Sequence, residues 1–176
     1  MAKILFLNPY AESSFGRQSI PLALIYSILK SQGHHCEIFD TTFLDNAKLL
    51  GSRPNHDNEL ARRNFFKEWN NETFIKYKKK GDINSLLQKQ INKFKPDLIT
   101  FSFWGSHLHA EGEYYSFHNG IQLINNVTIN KECKVVVGGT IPSSDPKKVL
   151  EKNPKIDYVL KGEPELVYAD IATNLD

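Results

Sequence analysis

Cysteine is nearly absent from this sequence: Cys36 and Cys133 are the only two. Each stands just ahead of a strand-like apolar run, and two such thiols give no disulfide framework. Reduced, buried, inert thiols are the expectation. Long apolar runs are missing too, so nothing here has the length of a bilayer-spanning helix. The apolar start, MAKILFLNPY, is too short for a signal peptide and reads as a first strand. Charge of one sign is not in excess. The net value of +2 gives no reason to expect a nucleic-acid partner. Together these absences lead us to expect a cytoplasmic protein, with neither a membrane nor a nucleic acid as partner.

Phosphate-binding signatures are also missing. The loop after the first strand, NPYAESSFGRQSIP at 8–21, holds neither G-x-G-x-x-G nor G-x-x-x-x-G-K-[ST]. That disfavours a dinucleotide fold and a P-loop nucleotidase. A phosphorelay receiver would need paired acidic residues after its first strand, where this chain has Asn8. Asp40 stands where a ribose-binding acid would, but without the glycine fingerprint it reads as polar capping. No repeat and no low-complexity tract occurs.

What remains is an ordinary globular composition. The chain has 176 residues, 40% hydrophobic and 24% charged, enough for one domain with its own core. Strand-like runs recur at KILFLNP (3–9), CEIFD (36–40), DLITFSFWG (97–105), KVVVGG (134–139) and DYVLKGE (157–163). Helical patterns separate them. SIPLALIYSILKSQGH (19–34) has Pro21 in its first turn and Gly33 at a left-handed stop. INSLLQKQINKFKPD (83–97) puts Leu87, Ile91 and Phe94 on one face. A helix is expected over 111–129, a short one is expected after an Asp145 N-cap with Pro146 in first position, and a last one in PELVYADIATNLD. Strand and helix in alternation predict a doubly wound α/β fold, a five-stranded parallel sheet with helices on both faces. The polar stretch of about 45–82 carries Phe65, Phe66, Trp69, Phe74 and Ile75, and reads as a helical insertion. The lysines at 78–80 read as a solvated helix end.

In such a sheet, ligands bind outside the carboxyl ends of the strands. Gly138 and Gly139 end the fourth strand, and two missing side chains there open a shelf beside Thr140. A tight turn into the Asp145 helix is an equal reading of the same residues. Neighbouring loops add small and hydroxyl residues: Ser102, Gly105 and Ser106 in SFWGSHLH, and Gly162 with Glu163 in KGEPE. His107 and His109 read as ordinary loop histidines, because no third ligand stands at convincing zinc spacing.

Taken in order, ILFLNP, IPLALIYSILKSQGHHCEIFD, KPDLITFSFWGSH and VVVGGTIPSSDPKKVLEKNPKIDYVLKGEPE resemble the N-terminal cobalamin-binding domain of radical S-adenosylmethionine enzymes. The resemblance covers most of the chain and leaves 45–82 as the variable part. It implies a flavodoxin-like, Rossmann-like strand order of 2-1-3-4-5, in one domain over 1–176. It also implies that the corrin rests on the carboxyl edge and its nucleotide tail descends between strands and helices. The expected cofactor-binding set is then Asn8, Ser102, Trp104, Gly105, Ser106, Gly138, Gly139, Thr140, Gly162 and Glu163. Ser102 would hydrogen-bond the dimethylbenzimidazole tail, and the two glycines would line its channel.

The chain departs from the wider cobalamin fold in one respect, since the D-x-H-x-x-G motif is missing. The resemblance therefore implies base-off cobalamin without a protein histidine ligand. The C-x-x-x-C-x-x-C run that holds an iron–sulfur cluster is missing as well. The cluster and S-adenosylmethionine would belong to a barrel domain of the same parent protein, outside this chain. The expectation is a cobalamin-binding module, non-catalytic alone, serving methyl transfer or related radical chemistry. Two other readings stand beside it. One is a degenerate domain acting as a docking surface without cobalamin, and the other is a small flavodoxin-like enzyme acting on an anionic substrate.

Overall fold

A computed structural model describes residues 1–8, 20–41, 81–103, 111–162 and 164–175. Five strands form one sheet: β1 (Lys3–Asn8), β2 (His35–Asp40), β3 (Leu98–Phe103), β4 (Lys134–Gly139) and β5 (Tyr158–Val159). Their order is β2-β1-β3-β4-β5 and every pairing is parallel. This is the expected doubly wound order. Six helices occur among the described residues: α1 (Ile20–Ser31), α2 (Ile83–Phe94), α3 (Glu111–Asn125), α4 (Thr140–Ser144), α5 (Pro146–Lys152) and α6 (Glu165–Thr173).

Parallel strands are buried on both faces, so two cores form. On one face Leu5, Leu7, Ile99, Phe101, Val135 and Val137 pack against Leu87 and Ile91 of α2, Leu123 and Ile124 of α3, and Val149 of α5. On the other, Ile4, Phe6, Leu98 and Val136 pack against Ile25 and Leu29 of α1 and Tyr168 and Ala172 of α6. Cys133 lies in the first core, and burial, with Asp97 and Asp157 nearby, pushes its thiol up to about 12. Cys36 is half-buried, and burial raises its pKa as well. Both are free thiols of low reactivity.

Helix ends follow the local chemistry. Gly33 takes φ 87 after α1, the left-handed stop its position predicts. Asp145 accepts a hydrogen bond from the Lys148 amide at 3.2 Å, with Pro146 opening α5. α2 stops at Phe94, short of the expected 97, because Lys95 turns left-handed (φ 52) ahead of Pro96. α3 ends at Asn125 instead of 129. There the Lys155 ammonium donates to the carbonyls of Ile124, Asn125 and Val127 at 2.9, 3.0 and 2.8 Å. The fifth strand is shorter than DYVLKGE promised. Only Tyr158 and Val159 join the ladder, and Gly162 at φ 82 then turns the chain towards α6. The expected insertion at 45–82 lies outside the described residues, apart from its last two positions.

Two aspartates secure the amino edge of the sheet. Asp97 accepts from the Lys3 amide at 2.7 Å, and Asp157 accepts from the Val135 amide at 2.7 Å. Lys-Pro-Asp is thus a strand-entry clamp, on the edge opposite the ligand loops.

Candidate functional site at the carboxyl edge

Parallel pairing aligns the strands in rows. Ile4 stands beside Leu98, Phe6 beside Thr100, Thr100 beside Val136, and residue 102 beside Gly138. Successive strand residues alternate faces. Ile4, Phe6, Leu98, Thr100 and Val136 therefore face α1 and α6, and positions 8, 102 and 138 continue that alternation at the carboxyl edge.

The two faces end differently. Against α2 and α3, large apolar side chains continue through Leu7, Phe101 and Val137. Against α1 and α6, they stop one row earlier. In the next row Asn8 closes β1 and Gly138, without a side chain, pairs with residue 102 of β3. Below this row, Thr100 donates from Oγ1 to Tyr168 Oη at 2.7 Å, with both residues buried. Phe6 and Tyr26 lie alongside, ring centroids 5.8 Å apart.

Each strand end has its own geometry. Asn8 donates from Nδ2 to Asp40 Oδ1 at 3.1 Å, so Asp40 is the polar cap expected of it. The Asn8 carbonyl accepts from both the amide and the hydroxyl of Thr41, at 3.2 and 2.9 Å. Asn8 therefore ties β1 to β2 as well as facing the edge. Gly139 has φ 107 and ψ −177, a backbone state that favours glycine. Helix α4 starts at once, with Thr140 exposed in its first position. The double glycine is thus not a turn running straight to Asp145, since a five-residue helix intervenes.

That helix returns towards β5. Ser143 donates to the Leu160 carbonyl at 3.4 Å and accepts from the Gly162 amide at 3.2 Å. A Cβ built on Gly162 would meet nothing within 4 Å, so the space beside it is open. The structure therefore brings positions 102 and 138 side by side in one row, with Asn8 at the end of β1, and joins Gly162 to α4 through Ser143. Trp104, Gly105, Ser106 and Glu163 lie outside the described residues, as do the 9–19 loop, His107 and His109.

Sequence reasoning missed Thr100, Tyr168 and Ser143. A signal existed for the first: Thr100 is a polar residue in the apolar start of β3, two residues before position 102 and so on the same strand face. Nothing comparable marks Tyr168, whose place depends on how α6 packs.

Among solved structures, two of the radical S-adenosylmethionine methyltransferase TsrM from Kitasatospora setae are similar to this chain. One holds tryptophan substrate and the S-adenosylmethionine analogue aza-SAM, with a TM-score of 0.62. The other holds cobalamin and a [4Fe-4S] cluster, with a TM-score of 0.63. Each is 18% identical in sequence, and the match covers 99% of this chain but only 26% of TsrM. At that identity the likeness establishes the fold. A search of curated proteins finds no match. A family profile described as the B12 binding domain matches residues 82–172, from the start of α2 almost to the end of α6.

At the end of β4, Gly138 is buried and adds no side chain of its own beside residue 102 of β3. With more than half of its residues matched by the profile, the chain belongs to the B12 binding domain family.

Proposed function

We propose that this chain is the cobalamin-binding module of a radical S-adenosylmethionine enzyme. It forms a single domain over 1–176 with a variable insertion near 45–82, and the iron–sulfur cluster and S-adenosylmethionine reside in a separate barrel of the same parent. The observation that carries the reading is that β4 ends at the carboxyl edge in two residues without side chains. Large apolar side chains on β4 end at Val136 on the α1/α6 face and at Val137 on the other, and the strand closes on Gly138 and Gly139, paired with residues 102 and 103 of β3.

Each residue then has a task. Gly138 leaves room for the nucleotide tail, and Gly139 gives the backbone turn that carries α4 away from it. Ser102 holds the tail by hydrogen bonding. Asn8 and Thr140 border the edge on which the corrin rests, together with Trp104, Gly105 and Ser106 of the following loop. Gly162 and Glu163 flank the channel on the β5 side. The loop 9–19 after β1 contains no histidine, so this loop would offer no imidazole to cobalt, and a base-off cofactor would be held by the carboxyl edge. Bound cobalamin supplies the carbon–cobalt chemistry, and this chain supplies position and exclusion of water.

The test is retention. Purified protein mixed with hydroxocobalamin and passed through gel filtration should carry corrin absorbance in the protein peak. Colourless protein at a cofactor concentration of about 100 μM would remove the reading.

A further inference from the structure

The ladder between β4 and β5 stops early, and a side chain takes over where it stops. Its last rung is the Leu160 amide, which donates to the Val137 carbonyl at 2.8 Å. Beyond that rung β4 continues only as Gly138 and Gly139, and Gly139, at φ 107, turns the chain into α4. The next polar groups after β5, the Leu160 carbonyl and the Gly162 amide, are held by one hydroxyl. Ser143 Oγ donates to the first at 3.4 Å and accepts from the second at 3.2 Å. A serine hydroxyl carries one proton and also accepts, so this single side chain stands in for a strand partner. It is the fourth residue of α4, and the helix is what brings it there. On its far side the turn is open. Gly162 is exposed at φ 82, and a Cβ built on it would meet nothing within 4 Å.

We propose that Ser143 is a positioning residue for cofactor binding: its hydroxyl latches the 160–162 turn to α4 and so fixes the spacing between the ends of β4 and β5. This rests on the cobalamin reading, in which Gly162 flanks the channel, and adds to it a residue that acts through the turn. An exposed turn tied at one point borders a ligand in one place only while the tie holds. Once untied it samples other positions, and the apparent affinity falls by the fraction of molecules that still have it in place. Accepting from one group while donating to another takes an oxygen at this position, so threonine can replace the serine and valine cannot.

The experiment titrates hydroxocobalamin into wild type, Ser143→Thr and Ser143→Val, and records the melting temperature of each without ligand. Threonine and valine have the same shape, so their difference reports the hydroxyl alone. Ser143→Thr should bind within about twofold of wild type and Ser143→Val about fivefold more weakly, the worth of one ordinary hydrogen bond. Both should melt cooperatively within about 4 °C of wild type. Hydrogen exchange on wild type needs no variant: cobalamin should slow the amides of 160–162. Ser143→Val that melts lower yet binds as tightly as wild type would assign the latch to folding alone and overturn the inference. Ser143→Thr as weak as Ser143→Val would overturn it too, as would unchanged exchange at 160–162 on binding, and each would leave the cobalamin reading intact. Wild type that binds no cobalamin would remove both.

Discussion

Asp97 and Lys3 are joined in both directions: the Asp97 carboxylate accepts from the Lys3 amide at 2.7 Å, and the Asp97 amide donates to the Lys3 carbonyl at 2.8 Å. The clasp fixes the register of β1 against β3 at the amino edge. Asp97→Ala removes only the carboxylate half. It should lower stability by about 1 kcal/mol, the usual worth of such a bond at a partly solvated site. For a chain of this size the melting temperature should fall by about 2–4 °C. Cobalamin affinity should not change, because the clasp and the candidate site lie on opposite edges. Calorimetry and a binding titration on one preparation check both halves.

Lys155 caps α3 from a distance of about thirty residues in sequence. Its ammonium satisfies three carbonyls that the helix end leaves open, and a cation there also opposes the helix dipole. Lys155→Met keeps much of the side-chain length and removes the donors. A loss of about 1 kcal/mol is expected, seen as a shift in the urea midpoint with an unchanged slope.

His34 gives the fold a pH dependence of known sign. It is buried, and its Nδ1 accepts the Ala2 amide at 3.2 Å. Burial, and then the nearby N-terminal ammonium, lower its pKa below the ordinary value of about 6.5. As pH falls, the unfolded chain therefore takes up this proton before the folded one does. The stability due to His34 is complete above about pH 6.5 and is lost as pH drops from there through the folded value. The fall in melting temperature between about pH 7.5 and 5.5 should be smaller in His34→Asn, which keeps an acceptor and does not titrate. An identical fall in both proteins would place the effect elsewhere.

The glycine pair divides into two roles, which decides how the site should be probed. Gly139→Val looks like the obvious obstruction from the sequence. With φ 107, however, any side chain at 139 strains the backbone, so loss of ligand there would not separate a filled channel from a disturbed strand end. Gly138 lies within the β4 ladder, without a positive φ, opposite residue 102. It is the cleaner place to add a side chain.

Most elements were legible because their signals are local, whereas the sheet order followed from the family resemblance. Apolar strand runs, the N-cap Asp145–Pro146 and the stop at Gly33 each act within a few residues. The aligned positions 102 and 138 were legible as small residues at strand ends. Their sharing of one face required the register, which only pairing supplies. The Thr100–Tyr168 bond spans 68 residues, and no local pattern announces it. The short α4 and the curtailed β5 also escaped notice, since Thr140 and Lys161 carry no breaker signal. Asp97 was read as part of a family marker, and its clamp role emerged only with the opposite strand in place.

The most direct test of the carboxyl-edge account compares wild type with Gly138→Val for retention of hydroxocobalamin, alongside the melting temperature of each protein without ligand. The account predicts that wild type keeps about one equivalent through gel filtration, while Gly138→Val loses at least tenfold in affinity and still melts cooperatively. A folded Gly138→Val protein that retains cobalamin as well as wild type would contradict it, because the tail would then not pass the end of β4.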